Sequence, residues 1–306
     1  MSTEHVRTVT REFATGEPAV LHLESRSGAA VVEGRETDVV RVEAVLRIWS
    51  DDAGDADDAA ALVERGMEMD GRQRVIVRAP ALPQGSGGGW SILQFGQRGS
   101  RLDYHVRVPR RTAVRVLSRS GRVEIRRIEG RTHTEVISGR CTVEDVTGDV
   151  TAISRSGAMQ IDRVEGSVTA EARSGRLHIA AVRGRVVAEA RSGAVELAHI
   201  VGDVRVSARS GSITVEDVAG GLHARSKAGS FRYGGAVRGD LDIEVGTGPI
   251  TLAVDPDVPF FVDAESRVGP VTSDLPPRRG GAGPPAGGPK VRLRAITGPI
   301  RLTRAD

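Results

Sequence analysis

Apolar and polar residues alternate along the middle of this chain, and the pattern restarts at each of a series of evenly spaced Ser-Gly pairs. Each repeat opens with such a pair, and another glycine follows nine residues after the first. Apolar residues occupy the fourth, sixth, ninth and thirteenth positions, and alanine predominates at the fifteenth. A fixed period of about 20 residues is typical of solenoid proteins. The pairs are Ser120-Gly121, Ser138-Gly139, Ser156-Gly157, Ser174-Gly175, Ser192-Gly193 and Ser210-Gly211.

This pattern predicts an all-β fold, a parallel β-solenoid or β-helix with 18-residue coils. Residues two apart face the same side of a strand, so the apolar positions share one face. The two glycines divide each repeat into halves of nine residues, which predicts two facing parallel sheets joined at corners where glycine has a positive φ. We expect neighbouring coils to lie ~4.8 Å apart, and the crossover rule favours a right-handed turn.

Residues 1–110 predict a first coil and a capping excursion. The motif at residues 25–28, Ser-Arg-Ser-Gly, carries the repeat signature well before its next copy. Within the excursion we predict one helix at about 55–69, opened by aspartates and ended by Gly71. Strands are predicted at 74–78 and 102–108. A cap is expected because an open solenoid end would recruit other chains.

Residues 111–246 predict the regular coils, and residues 247–306 predict degenerate C-terminal coils and a second cap. A Gly-Pro motif at 247–250 restarts the pattern, and degraded copies of it follow at 268–271 and 297–300. A Pro/Gly loop at 276–289 contains no core-forming residue. Phe260 and Phe261 fall where the core must be closed.

Composition narrows the classes of function. The 306 residues carry a net charge of +3, which argues against a nucleic-acid-binding protein. The single cysteine, Cys141, excludes an intramolecular disulfide. Residues 1–18 lack the apolar region of a signal peptide, and no run is long enough to span a bilayer. We therefore expect a cytoplasmic location without a transmembrane segment, and peripheral membrane association stays open.

The chain resembles the DUF4097 family, bacterial adhesin-like β-strand repeat proteins. The resemblance rests on the first Ser-Arg-Ser-Gly coil, the helical excursion, the Tyr104–Pro109 strand, the serial Ser-Gly coils and the final motif at 297–302. It covers nearly the whole chain. It implies a β-strand repeat fold and an adhesin-like role, and it supplies no catalytic residues.

The repeated polar residues predict structure and not catalysis. A catalytic nucleophile needs a base beside it, whereas a series of equivalent serines suits hydrogen bonds to backbone at corners. The seven histidines and the cysteine show no metal-ligand spacing. Phosphate-loop, dinucleotide and nucleophile-elbow motifs are absent from the sequence. We therefore expect a protein that is not an enzyme and binds neither a cofactor nor a metal.

A basic column is predicted at the eighteenth position of the repeats. Its members are Arg155, Arg173, Arg191, Arg209 and Lys227. Glutamates at the sixteenth position, among them Glu171 and Glu189, are expected to offset this charge in the earlier coils. The offset fails at residues 205–227 and is partly restored by Asp242 and Glu244 in the next coil, which predicts a modest basic patch for an acidic partner or an anionic surface. The patch comprises Arg191, Arg205, Arg209, His223, Arg225 and Lys227.

Two apolar features are further candidates for partner contact. The tip of a glycine-rich loop at 84–101 could bind a partner or fold onto the cap, and a nearly charge-free face could dock one. The loop candidates are Trp90, Ile92, Leu93 and Phe95. The face comprises Ala180, Ala181, Ala198 and Val201.

The sequence favours a non-enzymatic β-solenoid scaffold that binds a protein partner or associates with itself. The alternative is a self-assembling element that stacks end to end, in the manner of bactofilin-like cytoskeletal proteins. The predicted caps argue against stacking, because stacking needs open ends. A carbohydrate-active β-helix enzyme is disfavoured, because such short and uniform coils leave no cleft of unrepeated carboxylates.

Overall fold

The computed structural model describes residues 3–50, 52–80, 101–255, 260–275 and 288–305. Over these residues the protein is all-β with one α-helix, and parallel pairing joins many consecutive strands. The chain forms two compact units, Met1–Asp149 and Val150–Asp306. The predicted all-β class and parallel sheet are confirmed.

The first unit contains nine strands and one helix among its described residues. These are β1 (Thr3–Ala14), β2 (Ala19–Ser25), β3 (Ala29–Arg35), β4 (Val39–Ser50), α1 (Ala53–Arg65), β5 (Met67–Asp70), β6 (Arg74–Val77), β7 (Arg101–Pro109), β8 (Thr112–Glu129) and β9 (Thr132–Thr147).

Parallel pairing in the first unit follows the repeat. In β8 and β9, Val123 lies opposite Cys141, the equivalent residue of the next repeat. Strands β2 and β3 pair with the two halves of β8, and Ser25 lies opposite Ser118. The early Ser-Arg-Ser-Gly motif therefore stacks directly on the first regular repeat, although most of the unit separates them along the chain.

Antiparallel strands complete the N-terminal region. Strand β4 pairs antiparallel with β1 and β7, and α1 packs on β1 and β4. We did not predict β1, because its outward side is polar and only Phe13 is buried. The predicted extent of the helix is wrong at its C-terminal end. Gly66 caps α1, and the four residues after it form β5, whose Met67 is fully buried.

The second unit consists of 13 strands among its described residues. They are β10 (Val150–Glu165), β11 (Val168–Arg183), β12 (Val186–Val201), β13 (Val204–Ser210), β14 (Ile213–Ala219), β15 (Leu222–Ala228), β16 (Phe231–Gly235), β17 (Leu241–Thr247), β18 (Ile250–Val254), β19 (Phe261–Val268), β20 (Val271–Ser273), β21 (Lys290–Thr297) and β22 (Ile300–Arg304).

Identical positions of successive repeats lie side by side in this unit. Val168 pairs with Val186, and Leu177 pairs with Val195, each exactly one repeat later. The apolar positions are fully buried, as for Leu177, Ile179 and Val182. Outward positions alternate with them, so each polar position of the repeat forms a straight column across neighbouring strands.

The positive φ predicted for glycine is confirmed at every Ser-Gly pair, but the second glycine of the repeat lacks it at Gly130 and Gly220. Gly175, Gly193 and Gly211 have φ of +118°, +119° and +121°. A second series of positive φ values was not predicted, because its members are not glycine. They are Arg127, Asp145, Arg163, Ala181, His199 and Asp217, at the eighth position of the repeat. The ladder skips this position: Asp162 pairs with Ala180, and Val164 pairs with Val182. One residue per repeat thus bulges out in the left-handed conformation.

We expect Ala181→Gly to stabilise the protein by about 0.5–1 kcal/mol, because a left-handed backbone costs an L-residue roughly 1–2 kcal/mol and costs glycine nothing comparable. Ala181 has a φ of 52°. Chemical denaturation measures the effect. The matched control is Ala180→Gly in the adjacent, ladder-paired position, where glycine should cost about 0.5–1 kcal/mol. Equal changes in both variants would contradict the assignment of strain to position 181.

The C-terminal repeats do not stack in chain order. Strand β21 pairs with β17 on one side and with β19 on the other, so the final repeat lies between two earlier ones. Strands β22, β18 and β20 repeat this arrangement. Leu293 and Ile300 are fully buried there, whereas β20 is exposed throughout. The more apolar segment thus occupies the inner position, where it buries more surface.

Charge supports the same order. Arg294 lies opposite both Glu244 and Glu265 in the ladder. Its guanidinium pairs with Asp263 at 2.5 Å and with Glu265 at 3.5 Å. Hydrogen bonding to Arg294 lowers the pKa of the Asp263 carboxyl. Of the two phenylalanines expected to close the core, Phe260 is buried and Phe261 is 41% exposed.

Candidate interaction surfaces

The Ser-Gly serines bond to the backbone, as expected. Ser174 Oγ donates to the carbonyl of Arg155 at 3.1 Å, and Ser192 Oγ donates to that of Arg173 at 3.3 Å. Each of these hydroxyls thus bonds the preceding repeat. The arrangement ties neighbouring corners together and gives the serine no activating base.

Two shallow cavities open on one face of the second unit. One has a volume of about 370 Å³ and the other about 440 Å³, and both are lined by Val187, Arg205 and His223. Gly221 also lines the first cavity. A small residue at an outward position leaves a hollow between longer neighbours, with Leu222 on its floor. We call the two cavities together the groove.

The groove has mixed charge. Arg185, Arg205 and Arg225 line it, and so do four carboxylates, Glu189, Asp203, Asp240 and Asp242. The imidazole of His223 is hydrogen-bonded to a carboxylate, since Nδ1 lies 3.1 Å from Asp242 Oδ2. Arg225 Nε lies 3.1 Å from Glu244 Oε2. The groove is therefore suited to a ligand that carries both donors and acceptors.

Three polar groups of the groove have no partner among the described residues. The guanidinium groups of Arg185 and Arg205 form no ion pair there. Asp242 Oδ1 is buried and accepts no hydrogen bond. A buried carboxylate oxygen without a donor is costly, whereas the two exposed guanidinium groups are open to the acceptor oxygens of a ligand.

The predicted basic patch separates into two groups. Arg205, His223 and Arg225 line the groove, where carboxylates surround them. The other three, Arg191, Arg209 and Lys227, lie at the corner position and line neither cavity. Sequence reasoning missed Arg185, Asp203 and Asp240, although all three share the twelfth position of the repeat once the residue inserted before Asp240 is allowed for. The 18-residue spacing therefore already showed that these three residues lie in one outward column.

The corner group belongs to a longer column. Its members are Arg155, Arg173, Arg191, Arg209 and Lys227, all exposed. The expected offset is not a direct contact, because neither Glu171 nor Glu189 lies within ion-pair distance of these cations in the described residues. Like charges ~4.8 Å apart repel by roughly 1 kcal/mol in water. We call these five residues the cation row.

The two apolar candidates differ in what the structure shows. On the charge-free face, Val201 is 57% exposed and the alanines are half-buried. His199 Nδ1 lies 3.3 Å from Asp217 Oδ2 nearby, so polar pairs border this face. The loop residues Trp90, Ile92, Leu93 and Phe95 lie outside the described residues, as does most of the 276–289 loop.

We expect the Cys141 thiol to react with iodoacetamide only after unfolding. The side chain is 1% exposed, Sγ lies 3.7 Å from Thr134 Oγ1, and burial raises the pKa of the thiol to about 11. Because the thiolate is the nucleophile, alkylation at about pH 8 should be at least ~100-fold slower in the native protein than in urea. Mass spectrometry over time measures both rates. Similar rates would contradict the burial of this thiol.

Two searches of the described residues were negative. No group of three or more histidine, cysteine, aspartate or glutamate residues in that part of the chain could hold a metal ion. The described helix is also too short and too polar to cross a membrane.

The features above define the class as an all-β protein with long parallel ladders. One solved structure, a "putative cell adhesion protein" from Clostridium sporogenes, aligns with 99% of this chain and 100% of its own length. The sequence identity is 11% and the TM-score is 0.21, a likeness too weak to carry an argument. No family model and no curated protein matches the chain. The resemblance to the DUF4097 family therefore stays a prediction.

Proposed function

We propose that this protein is a non-enzymatic interaction scaffold with an adhesin-like role. The groove carries this proposal, because it exposes the guanidinium groups of Arg185 and Arg205, which form no ion pair with any residue that the structure describes. Arg205 and Asp242 belong to strands of one parallel ladder, which fixes their backbones. Groups held in this way bind a partner without first losing conformational freedom.

Site-specific photo-crosslinking tests the scaffold proposal. A photoreactive residue at position 205, in the groove, should give a crosslinked product of defined mass in cells that make the protein. The matched control is position 214, which is also outward-facing and lies on β14, outside the groove. Equal labelling at both positions, or none at either, would refute a partner site in the groove.

We also propose that each repeat is one right-handed coil. The parallel register, in which each residue lies opposite its equivalent in the next repeat, supports the coil length. The strong right-handed preference of parallel crossover connections supports the hand. An experimental structure that shows the connection after β10 turning the other way would overturn this assignment.

End-to-end self-assembly is the second candidate, and the position of β19 and β20 favours it. Strand β19 pairs only with β21 in the described residues, so its other edge is free there. Its inward residues Val262 and Ala264 are only half-buried. Val268 and Val271 are 59% and 45% exposed. An open edge with apolar side chains is a template for another strand.

Sedimentation and electron microscopy decide between the two candidates. Self-assembly predicts filaments at micromolar concentration, and the double variant Val268→Lys, Val271→Lys should abolish them because charge on an edge strand blocks pairing. A protein that stays monomeric at every concentration would leave only the partner-binding scaffold.

A further inference from the structure

We propose that the cation row is a docking ridge for an anionic lipid membrane. This inference goes beyond the proposed function, because the row lines neither cavity of the groove and is assigned a partner of its own. The row consists of Arg155, Arg173, Arg191, Arg209 and Lys227, one from each of five consecutive repeats of the second unit. Its alignment, its shape, its charge and the chemistry of the flanking columns all support this partner class.

The alignment of the row follows from the ladder. Ala172 pairs with Ala190, and Ser174 pairs with Ser192, so the residues between them, Arg173 and Arg191, are neighbours. The same pairing on both sides brackets Arg191 and Arg209. Adjacent strands are ~4.8 Å apart, so five members extend over about 19 Å. The cations form a straight line on a rigid support.

The corner makes this line convex. Along a flat strand, buried and exposed residues alternate, but the chain here has four consecutive residues that are not buried: Arg173, Ser174, Gly175 and Arg176. Ala172 before them and Leu177 after them point into the core. The chain therefore turns around the corner with the row on its outer side. A convex edge can lie along a plane, whereas it cannot enclose a polymer.

The surroundings keep the row positive. Two residues before it, the outward column reads Ile153, Glu171, Glu189, Ser207 and Arg225. Three residues after it, the column reads Ala158, Arg176, Ala194, Ser212 and Ser230. Arg176 and Arg225 are paired with Glu196 and Glu244. The row therefore contributes five positive charges, and the only negative charges in these two flanking columns are those of Glu171 and Glu189.

A fluid lipid surface fits this geometry better than a nucleic acid does. Lipid headgroups diffuse to match any spacing of cations, whereas a polymer presents fixed spacings. Single-stranded nucleic acids are bound largely by stacking on aromatic side chains, and neither flanking column contains an aromatic residue. Each arginine or lysine near an anionic leaflet contributes a similar amount of binding free energy, so the contributions of the five cations in the row add up.

Vesicle co-sedimentation of the full chain tests the proposal. We expect binding to phosphatidylcholine vesicles that contain phosphatidylserine and none to pure phosphatidylcholine, with binding lost as NaCl rises from about 0.1 M to about 1 M. The variant Arg173→Gln, Arg191→Gln, Arg209→Gln should bind about 100-fold more weakly, since each cation contributes roughly a fivefold factor. Its melting temperature should not fall, because neutralisation only removes repulsion.

A matched triple variant separates the row from net charge. Arg232→Gln, Arg301→Gln, Arg304→Gln removes the same charge from exposed positions of the second unit that lie outside both the row and the groove. It should keep vesicle binding within about threefold, because its cations lie outside the row. Equal loss in both variants, absence of vesicle binding, or binding to heparin or an oligonucleotide in place of vesicles would overturn the proposal. A crosslinked partner at position 205 would still support the scaffold in that case, so the two failures are distinguishable.

Discussion

Replacing Gly193 by alanine is expected to lower the free energy of unfolding by about 3–5 kcal/mol. A Cβ on Gly193 would lie 1.8 Å from the carbonyl oxygen of Gly175, and the φ of +119° belongs to a region that L-residues rarely adopt. The clash is with backbone, so a side-chain rotation cannot relieve it. The two stacked corners would have to separate, which would break the ladder between β11 and β12.

Gly221→Ala is the matched control for this prediction. A Cβ at position 221 would lie 3.4 Å from Asp203 Oδ1, an ordinary contact. Urea denaturation should show a change of less than about 1 kcal/mol for this variant. The same large loss in both variants would mean that glycine is required for another reason than the close approach of corners.

We expect Asp103→Ala to destabilise the first unit by about 3–5 kcal/mol. The carboxylate is only 8% exposed. Oδ1 accepts from the backbone N–H of Ala29 at 2.6 Å and from Arg101 Nε at 2.7 Å, and Oδ2 lies 3.4 Å from Arg47 Nη1. Truncation leaves a buried N–H and two cations without their acceptor, and it unties β7 from the start of β3.

An exposed ion pair supplies the control. Asp70 lies 3.4 Å from Arg74, and its side chain is 64% exposed. Asp70→Ala should change stability by less than about 1 kcal/mol, because exposed pairs contribute little. Asp103→Asn should fall between the two alanine variants, since it keeps one acceptor and loses the charge. Thermal melts of the three variants give the order, and a loss for Asp103→Ala no larger than that of Asp70→Ala would contradict it.

The positions of the groove residues were partly predictable. Periodicity alone placed Arg205 and His223 at the same outward position of successive repeats, and they are neighbours in the structure. It also placed Asp242 and Glu244 in the next repeat, where they pair with His223 and Arg225. It could not reveal the hollow at Gly221, which depends on the sizes of side chains in adjacent strands.

The regular repeats were predictable because each position contacts the equivalent position of the neighbouring repeat. A core residue of one repeat lies beside the same residue type in the next repeat, so composition at each position determines burial. Leu177, Ile179 and Val182 are buried as their positions predict. The segments that contain β1 and α1 lie outside the repeat, so β1 was missed and α1 was extended past Gly66.

The sequence by itself determined the all-β class, the register of the parallel ladders and the glycine corners, because each follows from an interaction between equivalent positions of successive repeats. Only the tertiary structure decided the order of the C-terminal repeats. The three Gly-Pro motifs look alike in sequence, so the pattern does not say which repeat lies beside β17 and β18 and is covered on both edges. The segment containing Leu293 and Ile300 occupies that position, since its larger apolar residues bury more surface against β17 and β18.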